Sequence, residues 1–219
     1  MTLKFDRIFW LKAGMHLACA LPLLYLYLRV QSGAAGGDPV QYLIHFLGMG
    51  ILHTLAVTLS LSPLARRLRM GWLIRTRRLM GLWTFTYAAL HLAAFVVFDL
   101  LGDWRLLLSE VIERPYITVG MLAFVILLLL AITSPMWAQR KLGRRWQALH
   151  RGVYLVALLG PIHFWWSVKS GDLEPALYLS GFVALLLCRP WLRRGLVKGW
   201  RRLRLRATAT PWVDQGDPK

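Results

Sequence analysis

The chain has 219 residues, of which 57% are hydrophobic, and its mean hydropathy is +0.49. This composition excludes an ordinary soluble domain, because several apolar runs approach the roughly 20 residues that a helix needs to cross a bilayer. The formal net charge of +17 comes from 27 Lys and Arg residues against 10 acids. The basic residues lie between and after the apolar runs, which argues against nucleic-acid binding.

Six membrane-spanning helices are predicted from the apolar runs, which are separated by charged or Gly- and Pro-containing segments. In chain order the runs cover residues 8–28, 42–61, 79–98, 115–134, 149–168 and 176–188. The first run lacks a clear small-residue cleavage site, so it is interpreted as a retained helix. The sequence therefore predicts an all-α, polytopic membrane protein, with a six-helix bundle over residues 1–206 and a mobile tail over residues 207–219.

The connections between the predicted helices alternate in charge. Basic residues dominate the loop 64–78, the segment 135–148 and the tail from residue 189. Most of the acids fall in the other three connections, which cover residues 29–41, 99–114 and 169–175. Since cytoplasmic loops carry an excess of Lys and Arg, both termini are predicted to lie in the cytoplasm. The basic tail is expected to lie near anionic lipid headgroups.

Two histidines of the predicted spans are candidates for binding heme iron. Spans three and five both run outward, and they place His91 and His163 at a similar depth near the outer side. Two neutral imidazoles at one level could clamp a heme between two helices, and six-coordinate iron of this kind suits electron transfer. The alternative is that both are packed, hydrogen-bonded histidines, although ionisable residues at membrane depth are functional candidates by default.

His150 lies at the inner end of the span that also carries His163, so one helix could place two imidazoles near opposite membrane faces. On an ideal helix the two rings point about 140° apart, but Pro161 lies between them and could kink it. Arg77 and Arg78 lie at the matching depth of span three and suit heme propionates or an FMN phosphate. His150 could thus bind an inner heme, contact a flavin phosphate or cap the helix.

The remaining histidines and the two cysteines have no single predicted role. His16, His45 and His53 could be ligands, proton carriers or buried polar packing, and His45 could also contact a propionate or a partner. Cys19 and Cys188 form neither a disulfide framework nor a zinc pattern, so they are interpreted as packing residues. The sequence also lacks a Gly-rich dinucleotide fingerprint, so it predicts no NAD(P)H-binding domain.

Five motifs resemble the MsrQ family, formerly YedZ, of the ferric-reductase-like transmembrane group. They are GDPVQYLIHF at 37–46, IRTRRLMGLW at 74–83, LHL at 90–92, RPYITVG at 114–120 and KLGRRWQALHRGVYLVALLGPIHFWWSVK at 141–169. The resemblance covers roughly residues 5–200, and the last motif is the most specific of the five.

The resemblance implies a heme-binding subunit of a methionine-sulfoxide reductase system in the bacterial inner membrane. It implies heme b, FMN and a heterodimer with MsrP, the periplasmic molybdopterin enzyme that receives the electrons. The family's heme ligands map by motif onto His91, His150 and His163. The chain would then be an electron-transfer subunit rather than the one that reduces the sulfoxide.

The chain departs in two ways from the larger NADPH oxidases and ferric reductases of the group. It lacks a second histidine on span three, and it lacks the soluble flavin–NADPH domain, so a cytoplasmic flavin reductase or quinol is the expected electron donor. Two other functions compete: a proton-coupled small transporter that uses intramembrane histidines, and a structural membrane anchor for a periplasmic enzyme. The common depth of His91 and His163 and the lack of an obvious inverted repeat favour the electron carrier.

The predicted orientation can be tested with reporter fusions. A reporter that is active only in the periplasm should be active after Gly102 and silent after Arg69, because the arginine-rich loop is retained in the cytoplasm. Reversed activities at the two positions would show that the orientation is wrong.

Overall fold

The computed structural model describes residues 7–168 and 173–188, and within these ranges all regular secondary structure is helical. The predicted all-α class is therefore confirmed. The α-helices are α1 (Arg7–Gln31), α2 (Pro39–Arg67), α3 (Arg77–Ala94), α4 (Trp104–Glu113), α5 (Pro115–Ile132), α6 (Met136–Leu142), α7 (Arg144–His150), α8 (Val153–Ser167) and α9 (Glu174–Leu187). A 3-10 helix, Gly71–Thr76, precedes α3, and a π-helix, Phe95–Asp99, follows it.

Four helical stretches are long and apolar enough to cross a membrane. They are Arg7–Gln31, Pro39–Arg67, Gly71–Asp99 and Pro115–Ile132. The fifth and sixth predicted spans correspond to the shorter helices α8, of 15 residues, and α9, of 14. The number of spans, the side of the termini and the division at residue 206 stay predictions. The turn at 169–172 and the chain from Arg189 onward, including the tail 207–219, lie outside the described residues.

Local sequence signals account for several helix starts. Asp38 precedes α2, and its carboxylate accepts a hydrogen bond from the Gln41 amide at 2.9 Å. Asp103 caps α4 in the same way, accepting from the Arg105 amide at 2.8 Å. Pro115 begins α5, where its missing N–H leaves no helical bond unmade. Carboxylates satisfy amides that have no partner within the helix, so these caps fix where each helix begins.

The prediction that one helix carries both His150 and His163 is wrong. Helix α7 ends at His150, and α8 begins at Val153 after a short turn. A Cβ at Gly152 would lie 3.0 Å from the Leu149 carbonyl oxygen and 3.1 Å from Cγ2 of Ile126, so glycine allows this turn to pack tightly against α5. Pro161 lies inside α8 without breaking it.

Two predicted loops contain helical structure. Helix α2 continues through Pro63 to Arg67, because a proline removes a single backbone donor and a long, packed helix can tolerate that loss. The segment 99–114, predicted as a loop, contains α4, which buries Leu107 against Val96 and Leu100. The Thr118 hydroxyl on α5 donates a hydrogen bond to the Val111 carbonyl and ties α4 to the bundle.

The core of the bundle lies where α2, α3, α5, α8 and α9 meet. Its buried residues include Leu52, Leu55, Leu59, Ala88, Ala123, Leu127, Val156, Ala157 and Phe182. Helix α1 lies at the edge and keeps most of its apolar side chains exposed, as expected for contact with lipid. It is held to α3 by the Tyr87 hydroxyl, which donates to the Cys19 carbonyl at 2.8 Å. This core leaves open space toward each end of the bundle.

Candidate functional site

An outer cavity of about 340 Å³ lies between α2, α3, α5 and α8, at the end that the charge pattern places outside. Its wall is largely apolar, with side chains such as Leu52, Ala88, Phe124 and Val156. Both His91, from α3, and His163, from α8, line it. The cavity can therefore exclude water from a ligand held between these two rings.

The structure brings His91 and His163 together at one level, as their depths in the sequence predicted. Their ring centroids are 6.3 Å apart, and the two rings are perpendicular. The ligand role of the pair stays a prediction, but its spacing suits one metal ion. A metal–nitrogen bond of about 2 Å places each ring centroid about 3 Å from the metal, so two such rings are about 6 Å apart.

Backbone carbonyls fix the tautomer of both rings. Nδ1 of His91 lies 2.9 Å from the Ile44 carbonyl oxygen, and Nδ1 of His163 lies 2.7 Å from that of Tyr116. Because a carbonyl oxygen can only accept, each Nδ1 carries the proton and donates it. Each Nε2 therefore keeps its lone pair, which is the state that binds a metal, and the bond at Nδ1 orients the ring.

Glycine at position 120 lets the His163 imidazole lie against α5, and Gly48 lies beside His91. A Cβ at Gly120 would lie 2.8 Å from Cε1 of His163, closer than side chains tolerate. A Cβ at Gly48 would lie 3.4 Å from Cε1 of His91, which is ordinary contact. The sequence analysis missed both residues, although a glycine inside a helix costs about 0.5–1 kcal/mol relative to alanine and so calls for a packing reason.

A heme fits the donor set of this cavity. Within the ranges that the structure describes, no group of three or more His, Cys, Asp or Glu side chains could hold a metal ion by itself. Two imidazoles are too few to hold a bare metal ion. They are enough for iron whose other four ligands come from a macrocycle. The apolar wall and the unprotonated Nε2 atoms match that requirement.

The outer mouth of the cavity is polar. Gln41, His45, Asp99, Arg114 and Ser167 line it, together with Tyr116. The guanidinium of Arg114, which precedes α5, lies 2.8 Å from the Glu110 carboxylate. Hydrogen bonding to the Tyr116 hydroxyl, and then the charge of Glu110, raise the pKa of Arg114. The mouth therefore holds a permanent cation beside the residue whose carbonyl orients His163.

An inner cavity of about 420 Å³ lies at the opposite end, and it is cationic. Its polar and aromatic lining consists of Thr58, Arg77, Arg78, Thr84, Ser134, Gln139, Trp146, Gln147, His150, Arg151 and Tyr154. No carboxylate from the described part of the chain lines it. The Arg78 side chain is held by its Nε, which donates to the Ser134 hydroxyl at 2.9 Å. Such a cavity favours an anionic ligand that also has a flat ring system.

His150 lies in the inner cavity with the opposite tautomer. The Thr133 hydroxyl donates its single proton to the Leu129 carbonyl at 2.6 Å, so it accepts from Nε2 of His150 at 3.1 Å. Nδ1 of His150 therefore keeps the lone pair. Trp146 stacks on the imidazole, with ring centroids 4.0 Å apart. A metal at His150 would bind through Nδ1 or would displace the Thr133 contact.

The two cavities lie back to back. Leu55 of α2 and Leu127 of α5 line both of them. A redox group in the inner cavity would thus be separated from the outer imidazole pair by a thin apolar layer.

His16 and His53 lie apart from the outer pair, whereas His45 lines the mouth of the outer cavity. His45 contacts Phe164 at the cavity mouth, with ring centroids 5.8 Å apart. Nδ1 of His16 accepts a hydrogen bond of 3.1 Å from the Trp83 indole. Nε2 of His53 lies 2.7 Å from the Tyr178 hydroxyl. Neither His16 nor His53 lines the outer or the inner cavity.

Comparisons with known proteins show which family the chain resembles. The ferric reductase like transmembrane component family matches residues 43–161. A protein-methionine-sulfoxide reductase heme-binding subunit MsrQ from Cronobacter sakazakii is 46% identical over 202 residues, covering 92% of this chain and 100% of that protein. The MsrQ subunits of Salmonella newport and Salmonella typhi are each 48% identical over 190 residues, covering 86% of this chain and 96% of theirs. No solved structure matches the chain.

The tight contact at Gly120 gives a first prediction about the site. Gly120→Ala should push the His163 ring off its position and weaken binding of iron protoporphyrin, by about tenfold or more if one oriented contact is lost. Soret absorbance during a porphyrin titration of the detergent-purified protein measures this. Gly181→Ala is the matched control, since nothing lies within 4 Å of a Cβ there. Equal affinities of the two variants would contradict the tight fit.

Proposed function

The chain belongs to the MsrQ family of ferric reductase like transmembrane proteins, and on that premise we propose that it is a heme b electron-transfer subunit of a methionine-sulfoxide reductase system. It takes electrons from a cytoplasmic flavin reductase or the quinone pool. It delivers them to MsrP, a periplasmic molybdopterin reductase that repairs oxidised proteins. The observation that carries the proposal is the pair His91 and His163, 6.3 Å apart with both Nε2 atoms unprotonated.

His91 and His163 would hold the outer heme iron through their Nε2 atoms. When bound, a bis-imidazole heme supplies one-electron transfer without an open position for oxygen. The Ile44 and Tyr116 carbonyls hold the rings in place through their Nδ1–H groups. Groups held in this way reorganise little when the iron changes its charge, which favours rapid electron transfer.

The inner cavity holds a second redox group. We assign His150 as the ligand of an inner heme, with Arg77 and Arg78 neutralising its carboxylates. FMN is the other proposed cofactor, and its phosphate suits the same arginines and the basic loop 64–78. Support comes from the absence of carboxylates among the described lining residues and from the fixed Arg78 side chain. The shared Leu55 and Leu127 layer leaves a short path to the outer site.

The proposed assembly spans the bacterial inner membrane. The six-helix domain over residues 1–206 precedes a cytoplasmic tail, 207–219, and both termini lie in the cytoplasm. MsrP docks on the outer side as the partner in a heterodimer, where the mouth of the outer cavity opens. No observation favours the transporter or the structural anchor over this function.

The ligand assignment gives the central test. His91→Ala and His163→Ala should each lose most of the low-spin heme spectrum or convert it to a high-spin form, because hydrogen bonds and packing around a heme cannot replace a ligand to its iron. Electron transfer to MsrP should stop in both variants, as measured by stopped-flow oxidation of the reduced protein. His16→Ala should keep the wild-type spectrum. A low-spin spectrum with full turnover in both variants would place the heme elsewhere.

The inner site has its own test. His150→Ala and Arg78→Gln should leave the outer heme spectrum in place but slow reduction by reduced flavin by about tenfold or more, as expected when a hydrogen-bonded charge or a ligand group is lost. Arg140→Gln is the control, since Arg140 is an exposed residue of α6 outside the cavity lining. Total heme loss in His150→Ala would make His150 a ligand of the only heme, and unchanged reduction would leave it a structural residue.

A further inference from the structure

His53 faces outward from the middle of a membrane-spanning helix. It is the central residue of the 29-residue α2, and its side chain is exposed. Since α2 is long and apolar enough to cross a membrane, exposed surface at this position would meet lipid rather than water. Ionisable side chains within membrane spans almost always face the bundle interior or a water-filled cavity, and those that do not call for a functional reason.

A short chain of aromatic side chains connects His53 to the outer cavity. Nε2 of His53 lies 2.7 Å from the Tyr178 hydroxyl on α9. The Tyr178 ring packs edge-on against Phe164, with centroids 6.3 Å apart. Phe164 lines the outer cavity and follows His163 in the sequence. A group bound at His53 would thus lie close to the imidazole pair while remaining open to the lipid.

The His53–Tyr178 hydrogen bond does not use every polar atom of the His53 ring. It uses one ring nitrogen, and Nδ1 of His53 has no hydrogen-bond partner among residues 7–168 and 173–188. An unpaired polar atom in hydrocarbon is unfavourable, so this nitrogen suits a ligand that arrives through the lipid and carries its own hydrogen-bonding oxygens. A hydroquinone has both properties, with an apolar body and two hydroxyl groups.

We propose that His53 and Tyr178 form a lipid-facing site at which a membrane quinol is oxidised. The inference rests on the proposed function, because it requires the heme at His91 and His163 as electron acceptor. The hydroquinone loses two O–H protons and two electrons and becomes the quinone. Each electron would pass singly to the heme that His91 and His163 would hold, so one quinol would serve two successive one-electron transfers.

On this proposal the released protons leave toward the outer side. With Nε2–H of His53 donating to the Tyr178 oxygen, Nδ1 accepts a quinol proton, and Nε2 can pass its own proton to Tyr178. Glu174 lies one helical turn before Tyr178, at the start of α9, and its side chain is exposed. Its carboxylate can pass protons on to water, so the electrons go to the heme and both protons leave at this end.

His16 provides a matched control. It is also an exposed histidine on an apolar helix, and it is also hydrogen-bonded to an aromatic side chain, Trp83. It lines neither the outer nor the inner cavity. Replacing His16 therefore removes an exposed imidazole from an apolar helix but leaves the route through Tyr178 and Phe164 unchanged.

Anaerobic stopped-flow mixing with a short-chain ubiquinol tests the proposal on the heme-loaded protein. Wild-type heme should be reduced, and His53→Phe and Tyr178→Phe should each slow this step by about tenfold, as expected for losing one hydrogen bond to a reacting group. Glu174→Gln should slow it as well, because the carboxylate that would accept the proton is lost. His16→Phe should match the wild type. Reduction by dithionite and the low-spin spectrum should be the same in all variants.

Three results would overturn the proposal. They are wild-type rates in both His53→Phe and Tyr178→Phe, an equal slowing in His16→Phe, and a wild-type heme that quinol does not reduce. Tyr178→Phe removes a single oxygen and keeps the packing on Phe164, so it remains informative if His53→Phe does not fold. If the wild type has a normal low-spin heme that quinol does not reduce, only the quinol site is disproved. Absence of low-spin heme in the wild type would remove the proposed function and this inference together.

Discussion

The hydrogen bonds from Nδ1 of His91 and His163 to backbone carbonyls are the constraint on which the rest of the site depends. Each bond joins a histidine to a different helix, so α3 is tied to α2 and α8 to α5. An imidazole reaches a helical carbonyl only where the backbone is accessible, and Gly120 provides that access for His163. In a medium without water these bonds are costly to break, so they fix helix positions as well as ring orientation.

Part of this arrangement could be predicted from the sequence. Apolar runs and charged connections located the long helices, and counting residues from the predicted boundaries placed His91 and His163 at one depth. The carbonyl partners and the role of Gly120 could not be found in this way, since they depend on which helices face each other. The break after His150 was not predicted. From the sequence, Pro161 is the residue expected to break the helix, whereas Gly152 acts through its close contact with Ile126.

The two cavities differ in ways that suit different tasks. The outer one is largely apolar and holds two imidazoles with equivalent tautomers, an arrangement that favours a tightly held, symmetric iron site. The inner one is cationic, and its single imidazole is stacked on Trp146 and bonded to Thr133. Cationic surroundings stabilise the more negative, reduced form of a redox group and help it to accept electrons from a cytoplasmic donor.

Helix α9 contributes both to the core and to the proposed route from the lipid to the outer cavity. It buries Phe182 in the core and places Tyr178 between the lipid-facing His53 and Phe164 at the outer cavity. On the proposed assignments, electrons from the cytoplasm cross the Leu55 and Leu127 layer, while electrons from the lipid pass beside Phe164. Both routes end at the same imidazole pair. That pair is therefore the point where two electron sources can supply one acceptor, and its orientation by Tyr116, next to Arg114 at the mouth, links it to the outer surface.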